Sequence, residues 1–443
     1  MFVARRLASC VIPLREAPRL SLRLYGSGSA NTSVQNASAL PASWYYDAEH
    51  FRRETEQYLN HEWQCVGHVS QFGARTGGAS FIAESVGLNP IIVVRNGRSG
   101  VLSAFHNVCR HRGGPLEWTG ERGSCDVNGL RCRYHGWVYS TDGALKGTPG
   151  FGDDAEAFDK KDYPLWRVRL ANYRGFLFVK IGDKAANASL TAETAVETIG
   201  ADSKSSGACD VADSFTRVHH DFIAHMKDLN LEAFAHFHER KHALKCNWKA
   251  YVENYAEGYH IPFMHNTLNA SVNMHDYHVR CADTMAVHRV SAPQQGSADS
   301  LPANLVSGTW VYLAPTVMFN VYNGCLALER VVPTSPTSCD IRYLYLSASL
   351  PIDAMEPEAL ASDRSLGDDY DGYKPPADLC AKELRRRENV LRVSWQVTTE
   401  DVKICEAVQA NLQSPGVYTP GRLSPRFENC VFWFQNKIRK AFP

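Results

Sequence analysis

Apolar and polar positions follow different periods along this chain, and the changes of period divide it. Tyr46, Phe51, Tyr58, Leu59 and Trp63 are interleaved with charges at helical spacing, which predicts a helix over 46–64. From there to about 180 the apolar runs shorten to 80–83, 90–94, 101–105 and 137–139, and close with 175–181. Turn signals such as Asn96-Gly97 and Asp142-Gly143 cut between them, the pattern of a small all-β domain. Residues 183–215 are polar and rich in Ala, Ser and Thr, which predicts a surface excursion. A second domain is expected beyond it. It has a helical stretch at 250–265, β-runs at 308–332 and 341–350, an acidic loop at 351–375 and a long amphipathic helix at 377–413. Leu391, Trp395, Ile404, Val408 and Leu412 form the expected apolar stripe of that helix. The fold class expected is α+β: an N-terminal helix and all-β domain over 44–180, then antiparallel sheet flanked by helices over 181–443.

Composition narrows the function classes. A length of 443 residues with 44% hydrophobic side chains suits two or three globular domains. No apolar run reaches the ~18 residues of a membrane span. Forty-seven basic and 47 acidic residues leave no cationic excess for nucleic acid. The balance is uneven, however. Arg5, Arg6, Arg15, Arg19 and Arg23 face only Glu16 within residues 1–30, so this leader is +4 and the rest is −4. An Arg-rich, Ser-containing, acid-poor leader predicts a transit peptide (1–30), followed by a linker (31–43) and import into an organelle. Its Arg density favours mitochondrion slightly over plastid. Thirteen scattered cysteines argue against a disulfide framework, leaving buried thiols or metal ligands.

Two groups of residues carry metal chemistry. Cys109-x-His111 and Cys132-x2-His135 offer two thiolates and two imidazoles, which suit either one tetrahedral zinc or a two-iron, two-sulfur cluster. Further on stands Glu257-x2-His260-x4-His265, with Glu257 and His260 one helical turn apart and Pro262 expected to distort the backbone. Two histidines and a carboxylate make the facial triad of non-haem Fe(II) enzymes. Glu257 is one candidate for the carboxylate. Asp401, on the inner side of the long helix, is the other.

Taken with their flanks, these motifs resemble a known family. Arg112-Gly113-Gly114-Pro115 and Tyr134-His135-Gly136-Trp137 complete both halves of a Rieske motif. A Rieske centre followed by Glu257-x2-His260-x4-His265 and the late Glu400-Asp401 is similar to the large subunit of Rieske non-haem iron oxygenases, over about residues 45–440. The resemblance implies a helix-grip catalytic domain and a [2Fe-2S] cluster on Cys109, His111, Cys132 and His135. It implies mononuclear Fe(II) on His260, His265 and Asp401. It gives Glu257 the role of bridge to the Rieske centre of a neighbouring subunit in a head-to-tail homotrimer. Aromatic-ring dioxygenases usually have Asp there, so the role carries over and its geometry does not. Asn254 becomes a donor supporting the iron ligands. Electrons would leave the cluster through His135 and pass Glu257 to His260.

Further matches narrow the branch. Trp310 to Tyr322, the stretch from Glu400 to Pro415, and Gly421-Arg-x-Ser-Pro425 are similar to the choline monooxygenase and glycine-betaine demethylase branch. That implies O2-dependent hydroxylation of a quaternary ammonium compound, most nearly choline to betaine aldehyde hydrate. N-demethylation of glycine betaine, ring dioxygenation and, last, electron transfer alone are the alternatives. Trp310, Tyr312, Phe319 and Tyr322 are the candidate cage for the cationic head. No Gly-x-Gly-x2-Gly fingerprint is present, so a ferredoxin or flavin reductase must supply electrons. Arg110, Arg112, Arg131 and Arg133 are the candidate docking patch. His236, His238 and His242 read as a polar helix face, and Cys125 and Cys405 as ordinary thiols.

Overall fold

A computed structural model describes residues 34, 37–73, 78–125, 129–151, 158–182, 190–191, 194–200, 205–207, 214–271, 274, 277–290, 308–322, 324–348, 373–377, 379–414 and 416–443. The leader, part of the linker and most of the acidic loop lie outside the described residues. Short antiparallel strands build the first half. Leu102–His106, Asn89–Arg95, Ser80–Val86 and Arg122–Ser124 form a four-stranded sheet. Leu130–Arg131, Val138–Tyr139 and Leu145–Gly147 form a three-stranded one. Phe81, Ile92, Phe105, Leu130, Trp137 and Tyr139 fill the core between them.

Behind lies a five-stranded sheet, ordered Gln64–His68, Phe176–Lys180, Arg169–Tyr173, Val196–Ile199 and Ser205–Gly207. The surface excursion expected at 183–215 therefore contributes two strands, of which Val196–Ile199 pairs in parallel with Arg169–Tyr173. Its Val-Glu-Thr-Ile text is too short to show a period. Glu197 is nevertheless buried, because its carboxylate accepts from the backbone N–H groups of Phe215 at 2.9 Å and Thr216 at 3.1 Å.

The second half is organised by one seven-stranded antiparallel sheet. Its order is Phe234–Leu244, Ser338–Ala348, Cys325–Ser335, Val317–Tyr322, Gly308–Leu313, Met285–Val290 and His278–Cys281. Both faces are covered, and strand alternation sorts the residues between them. Val311, Phe319, Leu328, Leu344 and Leu346 pack on the five-stranded sheet. Tyr312, Met318, Ala327, Tyr343 and Tyr345 face the helices Trp248–Tyr255, Ala381–Leu412 and Asn429–Ala441. His236, His238 and His242 lie on the edge strand Phe234–Leu244, not on a helix. Their even-numbered spacing fits a strand as well as a helical turn, and pairing with Ser338–Ala348 decided it.

Three expected helices are corrected in detail. The first ends at Gln57, after Asp47 has capped it by accepting from His50 N at 2.7 Å, and one 3-10 turn leads into the strand Gln64–His68. The stretch at 250–265 is two helices, Trp248–Tyr255 and Ile261–Met264. Between them Gly258 passes under Tyr277, where a Cβ would come within 2.6 Å of the ring. Pro262 begins the second helix rather than distorting the first. The long helix, Ala381–Leu412, buries Leu391, Ser394, Thr398, Asp401, Cys405, Gln409 and Leu412, while Trp395 and Val408 are exposed. Its inner face is largely polar because each polar group finds a partner. Ser394 meets Tyr345 Oη at 2.8 Å, Thr398 meets Tyr343 Oη at 2.8 Å, and Gln409 Oε1 accepts from Asn247 N at 2.8 Å.

Glu253, on the underside of the helix Trp248–Tyr255, accepts from Tyr45 Oη at 2.7 Å and Gln435 Nε2 at 3.0 Å. Burial pushes its carboxyl up to about 7. Unfolded, it would titrate near ~4.3. The folded chain therefore holds this proton longer, and Glu253 erodes stability as pH rises between those values. Glu253→Gln is expected to gain on the wild type by up to about 3 kcal/mol between pH 5 and 8. Thermal unfolding at the two values checks this, and an unchanged gap in Tm would refute it.

Candidate active site

Two turns of matching design hold the first group. One follows the strand Leu102–His106 and carries Cys109 and His111. The other follows Leu130–Arg131 and carries Cys132 and His135. In each, a glycine N–H closes back on the cysteine carbonyl at 3.1 Å, Gly113 on Cys109 and Gly136 on Cys132. Both glycines have positive φ, +71° and +73°, which side chains rarely adopt. The turns approach closely: a Cβ on Gly114 would stand 3.0 Å from Cys132 Sγ and 2.8 Å from Tyr134 Cβ. The rings of His111 and His135 lie 4.7 Å apart, and His111 stacks on Trp137. Both cysteines are buried, and Cys109 Sγ lies 3.3 Å from Tyr139 Oη. His111 Nδ1 is buried without a hydrogen-bond partner among the described residues. Two thiols and two imidazoles converging here, one with an orphaned nitrogen, fit a [2Fe-2S] group.

Around this cradle, Arg112 stacks over Tyr134. Arg133 is held by Glu117, and Arg110 lies over Trp166 and donates to the Pro164 carbonyl at 2.7 Å. Arg110, Arg112 and Arg133 of the expected patch are thus engaged within the chain. Cys125 is buried, and desolvation pushes its thiol up to about 12. All eleven described cysteines are free thiols.

The second group assembles from His260 and His265, at the two ends of the short helix Ile261–Met264, and Asp401 on the long helix Ala381–Leu412. One ligand atom each from His260, His265 and Asp401 lie within 4.8 Å of one another. Asp401 Oδ1 is 3.0 Å from His265 Nε2 and 3.7 Å from His260 Nε2. A second carboxylate holds each ring from behind: Glu257 Oε1 at 2.5 Å from His260 Nδ1, and Glu400 Oε2 at 2.6 Å from His265 Nδ1. Such pairing keeps the proton on Nδ1 and aims Nε2 at a metal. Burial depresses the pKa of His265, but Asp401 and Glu400 outweigh it and hold it above the usual value. Asn254 Nδ2 donates to Asp401 Oδ1 at 2.7 Å. The donor set, two imidazoles and one carboxylate, fits non-haem iron. Glu257 stands behind His260 rather than among the three, so of the two carboxylates considered, Asp401 completes the group. In the sequence Glu400 stands out only as Asp401's neighbour, and its contact with His265 is supplied by the fold. A carboxylate beside a buried one, on a helix facing histidines, was the available signal.

The triad opens into a cavity of about 300 Å³. Tyr251, Tyr255, Tyr277, Trp310 and Tyr343 supply aromatic wall, and Asn320, Glu329 and His288 supply polar wall. Of the three expected cage residues whose side chains are described, Trp310 alone lines it. Tyr312 is buried in the helix-side core, its hydroxyl donating to the Pro315 carbonyl at 2.9 Å. Phe319 points through the opposite face of the sheet onto Phe176 and Phe222. The side chain of Tyr322 lies outside the described residues. A strand cannot send positions 310 and 319 to one face when Val311 is the partner of Phe319. Glu329 Oε1 accepts from Tyr251 Oη at 2.5 Å and Oε2 from Asn320 Nδ2 at 2.9 Å. Burial pushes its carboxyl up to about 7. Desolvation lowers the pKa of His288 to about 3, so it is neutral. These polar wall residues escaped the sequence reading. A lone Glu in the apolar run from Cys325 to Val332 was the trace they left.

Residues 62–164 match the Rieske [2Fe-2S] domain family, and residues 231–443 match the ring hydroxylating alpha subunit (catalytic domain) family. Choline monooxygenase, chloroplastic, of Beta vulgaris is 25% identical over 401 residues, 90% of this chain and 76% of that protein. The carnitine monooxygenase oxygenase subunit of Escherichia coli (strain K12) is 27% identical over 418 residues, 92% of this chain and 95% of that one. A solved quaternary ammonium Rieske monooxygenase superposes with a TM-score of 0.69 at 20% identity, covering 93% of this chain and 97% of that one. With a Rieske domain leading into a ring-hydroxylating alpha catalytic domain, the chain belongs to the Rieske non-haem iron oxygenase family.

Proposed function

We propose that this chain hydroxylates choline to betaine aldehyde hydrate, as the oxygenase component of a quaternary-ammonium monooxygenase. The observation that carries this reading is the cavity itself, in which five aromatic side chains share about 300 Å³ with the three candidate iron ligands. A trimethylammonium group has no N–H to donate, so ring faces and negative charge are what can recognise it. A cavity of this size suits a compact ligand. The names of the plant and bacterial relatives point to the same substrate class.

In this reading Cys109, Cys132, His111 and His135 hold the cluster, and His260, His265 and Asp401 hold the iron. The cluster supplies single electrons and the iron supplies O2 activation. Glu257 and Glu400 fix the two imidazoles, and Asn254 keeps Asp401 in place by occupying one lone pair of Oδ1. One oxygen atom of O2 enters a C–H bond and the other leaves as water, with two electrons and two protons from outside. A ferredoxin or flavin reductase delivers the electrons. The working unit is a homotrimer in which one subunit's cluster faces the next subunit's Glu257. Exposed Trp118 and Tyr134 near the cradle, and Tyr259 and Phe263 beside Glu257, support that contact. The chain works in an organelle. The word chloroplastic in the plant relatives' names supports organellar import and lends nothing to mitochondrion over plastid.

Ferredoxin-coupled turnover with choline, glycine betaine and carnitine tests the substrate. Betaine aldehyde from choline is the expected product. Formaldehyde release would replace the reading with N-demethylation, and no product from any of the three would overturn it.

A further inference from the structure

We propose that Glu329 is the counter-ion for the substrate's cationic head and thereby decides which molecules the cavity accepts. The inference rests on the quaternary-ammonium reading and adds the residue that enforces it. Glu329 projects from the strand Cys325–Ser335 into the cavity, on the sheet face that meets the helix carrying Asp401. It is 2% exposed. Its two oxygens accept from Tyr251 and Asn320, and Tyr255 Oη donates to Asn320 Oδ1 at 2.6 Å. Tyr255 thereby turns the Asn320 amide so that its NH2 faces Glu329, a setting made for an acceptor.

No cationic side chain is paired with Glu329 among the described residues. Arg392 also lines the cavity, but it is exposed and bonded to Asn389 Oδ1 at 2.8 Å. Glu54 and Glu383, also buried, meet cations, Lys249 for the first and Arg386 and Arg387 for the second. Glu197 and Glu253 meet none among the described residues, but neither lines the cavity. A buried carboxylate without a cation is costly. The rise of its pKa toward neutrality expresses that cost, and a cation beside it would restore the ionised form. Tyr251, Tyr255 and Tyr343 cluster around the carboxylate, so a group held there meets ring surface and negative charge together. A quaternary ammonium satisfies both at once, whereas its uncharged carbon isostere packs against the rings and gains nothing from the charge.

Calorimetric binding of choline and of 3,3-dimethyl-1-butanol, its neutral isostere, separates charge from shape. Wild-type protein is expected to prefer choline by about tenfold or more. Glu329→Gln is expected to bring the two within about threefold by weakening choline alone, and Glu329→Asp to keep the preference. The cluster's visible spectrum and the iron content report whether each variant is folded and loaded. A Gln variant that keeps the wild-type preference, or loses both ligands equally, overturns the counter-ion assignment and leaves the substrate class standing. Wild-type protein with no preference would instead remove the quaternary-ammonium reading.

Discussion

Asp401→Ala is expected to lose turnover by more than about 100-fold while the cluster's visible spectrum stays as in the wild type. The argument is geometric. Asp401 Oδ1 stands 3.0 Å and 3.7 Å from the two Nε2 atoms, and it is the carboxylate of the three-residue group. Alanine leaves two imidazoles, each still held from behind by Glu257 or Glu400, and too few ligands to retain iron. Asn254 Nδ2 loses its acceptor as well. The cradle of Cys109 and Cys132 lies on other strands and should load normally. Mononuclear iron absent from metal analysis, with an intact cluster spectrum and no product, is the expected outcome. Unchanged turnover would remove Asp401 from the site.

Glu54→Ala is expected to destabilise the fold by about 3–5 kcal/mol. Lys249 is fully buried, with Nζ 2.7 Å and 2.9 Å from the two oxygens of Glu54. Trp248 Nε1 donates to the same carboxylate at 3.0 Å, and His50 Nε2 lies 3.0 Å from it. Burial would raise the Glu54 carboxyl, but Lys249 overrides it and holds the pKa below the usual range. Truncating Glu54 strands an ammonium in the core, whereas Glu54→Leu with Lys249→Met removes both charges and should cost much less. Denaturant unfolding of the three proteins checks the order. The pair matters for function because it ties the helix Ala48–Gln57 to the helix that ends in Asn254 and Tyr255. A Glu54→Ala protein as stable as the double variant would show that the ion pair is not what joins them.

Chemistry that depends on residue type at short spacing was legible in the text. Cys109-x-His111 and Cys132-x2-His135 sit on adjoining turns, and their spacing with the flanking glycines carries the resemblance. The strands 80–86, 89–95 and 102–106 followed their apolar runs, since a short alternating run between turn signals has few other uses. The acidic-versus-basic ledger of the leader was equally plain, though it concerns residues outside the described structure.

Three matters needed tertiary structure. Hydrophobicity placed Asp401 on the inner face of the long helix but not Ser394 and Thr398, which are buried against hydroxyls from a distant strand. The cage could not be read either. Alternation shows that neighbours on a strand point opposite ways, but not which side meets the five-stranded sheet and which the helices. That choice sent Trp310 to the cavity and Phe319 to the core. The third matter was the partner of each carboxylate. Local spacing named the four cluster donors and the two histidines, because ligand type and turn geometry are one-dimensional, and left the third iron ligand open between Glu257 and Asp401. Which groups stand beside them, and so which cation the cavity accepts, was decided only when the sheet folded against Ala381–Leu412, since burial and charge pairing are properties of contacts between distant segments.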